Sequence, residues 1–165
     1  MAKKEVDEIM RVVREWLVEE GVYKDKRVDD SATYHFVVEF PPNTGRLADI
    51  IQPKEREDLL VIASGIGLPK EHYEALNSMQ KPKRKEILWD IRFQLLFRES
   101  DFQMIPSAED LQKIQFTRPL HFDGLTKNKF IECLREDYKC NLFILWKMKQ
   151  LFGEAPPSSL EPMFG

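Results

Sequence analysis

Three apolar segments in succession, residues 34–40, 47–52 and 59–66, are joined by connections too short to carry a crossover helix. In the first, Tyr34, Phe36, Val38 and Phe40 alternate with His35, Val37 and Glu39, the period of a strand with one buried face. Pro41-Pro42-Asn43-Thr44-Gly45 stops it, since proline cannot donate to a ladder. The second strand leads into a charged connection over 53–58. The third opens on Leu59-Leu60-Val61-Ile62-Ala63, a continuous run that predicts burial on both faces and a central place in the sheet. Parallel neighbours need crossovers of about a dozen residues or more, so the order predicts an antiparallel meander.

Helical periodicity surrounds this block. Val6, Ile9, Met10, Val13 and Leu17 form a stripe that Val12 and Trp16 widen, and Gly21 suits a left-handed end. A polar stretch over 24–31 follows. After the meander, Gly67-Leu68-Pro69 opens a helical piece with Tyr73, Leu76 and Met79 as its inner side, interrupted at Lys81-Pro82. A longer helix runs over 82–98. Phe102, Met104 and Ile105 read as a short strand, and Ile114 to Phe122 as another in which Pro119 argues for an edge or a bulge. Thr126 caps a final long helix whose predicted inner stripe is Phe130, Leu134, Tyr138, Leu142 and Leu145. Gly153 and Pro156-Pro157 end it. The reading is an α+β fold in the order α-β-β-β-α-β-β-α, a bent antiparallel sheet packed by helices. It forms a single domain over 1–152 with a flexible tail over 153–165.

Composition narrows the function classes. With 25 basic and 28 acidic residues the net charge is −3, which argues against nucleic acid as a partner of the whole surface. Charged residues reach 32%, a density that suits a thermophile's surface and many mesophiles as well. Cys133 and Cys140 lie seven positions apart on one helix, roughly 10 Å, beyond disulfide reach. Reduced, buried thiols, no apolar run of spanning length and no apolar signal core after Met1 together place the expectation in the cytoplasm, with no membrane partner.

The anchors Trp16-Leu17, Tyr34-His35-Phe36-Val37-Val38-Glu39, Leu59-Val61-Ile62, Leu68-Pro69-Lys70-Glu71-His72-Tyr73-Glu74-Ala75-Leu76 and the helix after Pro82 carry a family resemblance. Over residues 3–152 the chain resembles a small prokaryotic family of uncharacterised proteins whose fold is similar to type III secretion chaperones and YbjN-like proteins. The resemblance implies a dimeric, non-enzymatic, secretion chaperone-like fold that binds another polypeptide. It brings no catalytic residues and no cofactor.

Motifs for chemistry are thin. Ser64-Gly65-Ile66-Gly67-Leu68-Pro69-Lys70 lacks the third glycine of a dinucleotide fingerprint and follows an antiparallel block, leaving a glycine-relaxed strand end or anion capture at the helix start with Lys70. His35, His72 and His121 have no zinc-ligand spacing and read as solvated or edge residues, so no metal is expected. A small-molecule enzyme built around His35, His121 or Cys133 would need a spatial adjacency that spacing does not give. Lys81, Lys83, Arg84 and Lys85 crowd a helix start against its dipole, an anion-binding candidate for nucleic acid or a phosphorylated ligand, or a solvated helix entry. The largest anomaly is apolar surplus. Trp89, Phe93, Leu96 and Phe97 lie beyond the stripe of Ile87, Ile91 and Leu95, and Phe143, Ile144 and Trp146 add a second sector to the last helix. A two-layer domain buries one stripe per helix. Either these residues are covered within one subunit, or Trp89, Phe93, Phe97, Phe143 and Trp146 meet a partner, first of all a second copy in a homodimer.

Overall fold

The computed structural model describes residues 3–155. Its elements run α1 (Lys3–Glu19), β1 (Tyr23–Lys26), β2 (Ala32–Glu39), β3 (Leu47–Pro53), β4 (Leu59–Gly67), α2 (Lys70–Ser78), α3 (Lys81–Leu96), β5 (Asp101–Pro106), β6 (Leu111–His121), a 3-10 turn (Phe122–Gly124) and α4 (Lys127–Phe152). The strands form one six-stranded sheet in the order β1-β2-β3-β4-β6-β5. β1 to β4 pair antiparallel in succession, as the short connections require. The tail expected over 153–165 lies, from residue 156 onward, outside the described residues.

β1 is the element that periodicity passes over. It sits where a polar stretch was expected, and its Lys24, Asp25 and Lys26 are exposed. Backbone pairing to β2, Tyr23 opposite Val38 and Lys26 opposite Phe36, defines it, so no apolar alternation marks it. A second difference concerns β6. Of the edge or bulge that Pro119 argues for, the edge is not what β6 occupies, since it lies between β4 and β5. The four-residue turn 107–110 joins β5 to the longer β6, in which Pro119 is the ninth of 11 residues.

The chain divides into two compact units, Met1–Ser64 with Thr117–Tyr138, and Gly65–Phe116 with Lys139–Gly165. In the first, Val6, Met10, Val13 and Leu17 of α1 pack with Phe36, Ile50 and Ile62 of neighbouring strands and with Phe130 and Leu134 of α4. Gly21, at φ +70°, closes α1 in the left-handed turn its position suggested. In the second, Leu76, Ile91, Leu95, Phe116 and Ile144 are among the residues of a separate core.

The buried stripe of α4 has a different phase from the expected one. Phe130, Cys133, Leu134, Asp137, Cys140, Asn141, Ile144 and Met148 are buried, while Tyr138, Leu142 and Leu145 are half-buried. Two polar residues inside the stripe displaced the apolar reading. Asp137 is 4% exposed and accepts a 2.7 Å hydrogen bond from the Ser64 hydroxyl. Burial pushes its carboxyl up to about 7, the nearby Asp49 and Glu136 adding to the rise and Ser64 opposing it.

That raised carboxyl fixes a pH dependence. In the unfolded chain an aspartate ionises near its ordinary value of about 3.9. Between that value and about 7 the folded state therefore holds a proton the unfolded state has released, and stability falls as pH rises through this window. Urea unfolding at about pH 5 and about pH 8 should show a loss on the order of a few kcal/mol toward the higher pH. Asp137→Asn, which keeps an acceptor for Ser64, should flatten the profile. An unchanged slope in the variant would show that Asp137 is ionised in the fold.

Candidate functional site

Helix α3 begins without a side-chain cap, with Gln80 at the N-cap and Pro82 in the first turn. Its inner residues Ile87, Leu88, Ile91 and Leu95 are buried as the sequence pattern predicts. Two further faces flank this buried stripe.

One face holds Lys81, Arg84, Lys85, Leu88, Trp89 and Arg92, the i, i+3, i+4, i+7, i+8, i+11 positions of a single helix side. With Ala108 and Glu109 from the turn after β5, it lines a cleft of about 370 Å³. Leu88 forms its floor at 5% exposure. Arg92 places its guanidinium carbon 4.0 Å from the centre of the Trp89 ring. Arg84 is half-buried and its Nη1 donates to Asn77 Oδ1 at 3.4 Å. None of the four cations makes an ion pair among the described residues. Lys147, by contrast, pairs with Asp90 at 2.9 Å, and Lys127 with Glu19 and Glu20. Lys83 does not line the cleft.

The other face is apolar and open. Trp89 and Phe93 stack with ring centres 5.6 Å apart and planes 29° from parallel. Leu96 and Phe97 continue this ridge at i+7 and i+8 from Trp89, and Phe97 is 84% exposed. On α4, Trp146 is 66% exposed and adjoins Lys147, whose ammonium reaches α3 at Asp90. Of the five residues read as a partner surface, Trp89, Phe93, Phe97 and Trp146 are exposed. Phe143 is half-buried, packed against the second core. Ile144 is fully inside it.

The histidines depart from the solvated reading in two cases of three. His121 is exposed. His72 is 5% exposed, its Nε2 2.9 Å from the carbonyl oxygen of Gly153. His35 is 9% exposed and lies between two carboxylates, Nδ1 3.0 Å from Asp29 Oδ2 and Nε2 2.5 Å from Asp49 Oδ1. The expectation of one buried face on β2 fails here, because His35, Val37 and the register partner Asp49 are all buried. The Ser31 hydroxyl and amide, then His35, hold the Asp29 carboxyl down at about 2. Burial pushes Asp49 up, with the His35 ring opposing. The missed signal was an acid on β3 opposite a strand that carries the histidine two residues earlier. Cys133 is fully buried in the first core and Cys140 in the second, neither in a disulfide. Lys70 is exposed, 3.9 Å from Glu74. Among the described residues no three His, Cys, Asp or Glu side chains gather as a metal site, and no helix is long and apolar enough to cross a membrane.

The pattern of a family described as "Uncharacterized conserved protein (DUF2299)" matches residues 9–148. No curated protein matches the chain. Among solved structures, the fold is similar to the crystal structure of an uncharacterized protein from Methanothermobacter thermautotrophicus, with 30% sequence identity and a TM-score of 0.82 over 87% of this chain and 99% of that one.

The His35 cluster makes its own prediction. His35→Ala leaves Asp49 buried without its ring partner and should destabilise the protein by about 3–5 kcal/mol in urea unfolding. Adding Asp49→Ala should recover part of that loss, since the stranded carboxylate is gone. A single variant as stable as the parent would show that the ring does not hold Asp49.

Proposed function

The chain belongs to the DUF2299 family, and from its open apolar ridge we propose that it is a non-enzymatic protein-binding module that works as a homodimer. The observation that carries this reading is the exposure of Trp89, Phe93, Leu96 and Phe97 along one side of α3, with Trp146 on α4. An aromatic side chain offers roughly 150–250 Å² when fully covered, so these partly exposed residues present on the order of 600 Å². That lies at the top of the range for the largest apolar patch on a monomer, about 300–600 Å².

A second copy is the occupant that fits best. A twofold axis sets the same patch against itself, so the covered area doubles to roughly 1,200 Å², the lower bound of stable interfaces. The ridge is also the composition of an interface centre, aromatic and stacked, with Lys147 and Asp90 already paired beside it as a polar rim. The resemblance of the sequence anchors to a family with a fold similar to secretion chaperones and YbjN-like proteins supports the same reading. From it we extend the proposal to a chaperone-like fold that holds a second polypeptide. We place it in the cytoplasm, since two cysteines outside any disulfide suit a reducing compartment.

Light scattering after size exclusion should give twice the chain mass at micromolar concentration. Phe97→Glu with Trp146→Glu should give a monomer with unchanged circular dichroism, because both side chains lie mostly in solvent within one subunit. A parent chain that runs as a monomer at every accessible concentration would sink the homodimer.

A further inference from the structure

We infer that the cleft at the start of α3 binds a small phosphorylated molecule, its phosphate held by Lys81, Arg84 and Lys85 and its body lying against Leu88 and the edge of Trp89. Four cations and one acid, Glu109, line this space, in a chain whose acids outnumber its bases 28 to 25. The local excess of three positive charges runs against the protein as a whole. It also runs against helix stability. Lys81 sits three and four positions from Arg84 and Lys85, spacings at which like charges repel, and all three stand at the positive end of the helix dipole. A bound anion relieves both effects at once.

The helix start adds donors of its own. No side chain caps it, so the first-turn amide of Lys81 lacks a side-chain acceptor, while the Arg84 amide is already committed to the Gln80 carbonyl at 3.0 Å. The guanidinium of Arg84, half-buried and paired with no carboxylate among the described residues, has the fork geometry that takes two phosphate oxygens.

Size and lining choose among anions. A volume of about 370 Å³ falls in the lower part of the range for small-molecule pockets. It admits one compact ligand and no folded partner. A nucleic-acid strand would want a basic track with aromatic residues interleaved along it, whereas the four cations here converge on one cleft. Leu88 and Trp89 supply an apolar wall next to the charges, and a bare inorganic ion would leave that wall uncovered. A phosphate ester with a flat or apolar body uses both halves. This inference stands whether or not the neighbouring ridge is covered by a second copy.

Calorimetric titration of the full chain with adenosine diphosphate, pyrophosphate and adenosine tests it. Adenosine diphosphate should bind and raise the melting temperature, pyrophosphate should bind more weakly, and adenosine should not bind. Rising salt should weaken binding. Arg84→Gln with Lys85→Gln should lower affinity by about tenfold or more, as expected from loss of charge-assisted hydrogen bonds. Lys83→Gln, outside the cleft, should leave affinity unchanged, and both variants should melt at or above the parent's temperature without ligand. Absence of binding by either anion at low salt overturns the inference. So does an equal loss in Lys83→Gln, which would mean attraction to a diffuse basic surface. Pyrophosphate binding as tightly as the diphosphate would overturn the part assigned to Leu88 and Trp89.

Discussion

The row of Phe36, Ile50 and Ile62 across three neighbouring strands is the contact on which the first unit rests. Register sets it: Phe36 stands opposite Ile50, and Ile50 opposite Ile62. All three are at most 2% exposed and meet α1 and α4 on one side of the sheet. A slip of one residue in β2 would turn His35 toward those helices and Phe36 away from them, and a slip in β3 would do the same with Asp49 and Ile50. The alternation of large apolar and ionisable residues along β2 and β3 thus admits one pairing. The same register puts Val37, Asp49 and Ala63 in line on the other side, where His35 gathers its two carboxylates.

Much of the architecture was legible because burial and period coincide. α1 buries Val6, Met10, Val13 and Leu17, the residues its spacing selects, and β4 is buried through Leu59, Leu60, Ile62 and Ala63 as a continuous apolar run predicts. The break between α2 and α3 fell at residues 79–80, next to the proline that announced it. Where polar groups are buried, the pattern misled. Asp137 and Asn141 occupy inward positions of α4, and a reading that counts only apolar residues slides to Tyr138, Leu142 and Leu145. β1 was invisible for the opposite reason, since its ladder bonds are backbone and its side chains are mostly in water.

The two faces of α3 outside its buried stripe show the same division. Exposure of the α3 ridge could be read from arithmetic, because a helix with Ile87, Leu88, Ile91 and Leu95 already turned inward has no inner place left for Phe93 and Phe97. The basic run was visible too, but its shape was not. Spacing alone groups Lys83 with its neighbours, whereas the fold leaves Lys83 aside and adds Arg92 and Trp89 two turns further along. Nothing near Lys81 in sequence announces Ala108 and Glu109 on the opposing wall, because they arrive through the β5–β6 turn.

The bond from the His72 ring to the carbonyl oxygen of Gly153 bears on how the chain leaves its last helix. Gly153 has φ +80°, its amide closes on the Lys149 carbonyl at 2.8 Å, and Phe152 packs its ring 5.9 Å from the imidazole. The exit point is therefore clamped from two sides, by backbone and by an aromatic pair. A fluorophore or fusion partner grafted just beyond it would depart from a fixed origin beside α2, and would report on that helix's position from the first linker residue.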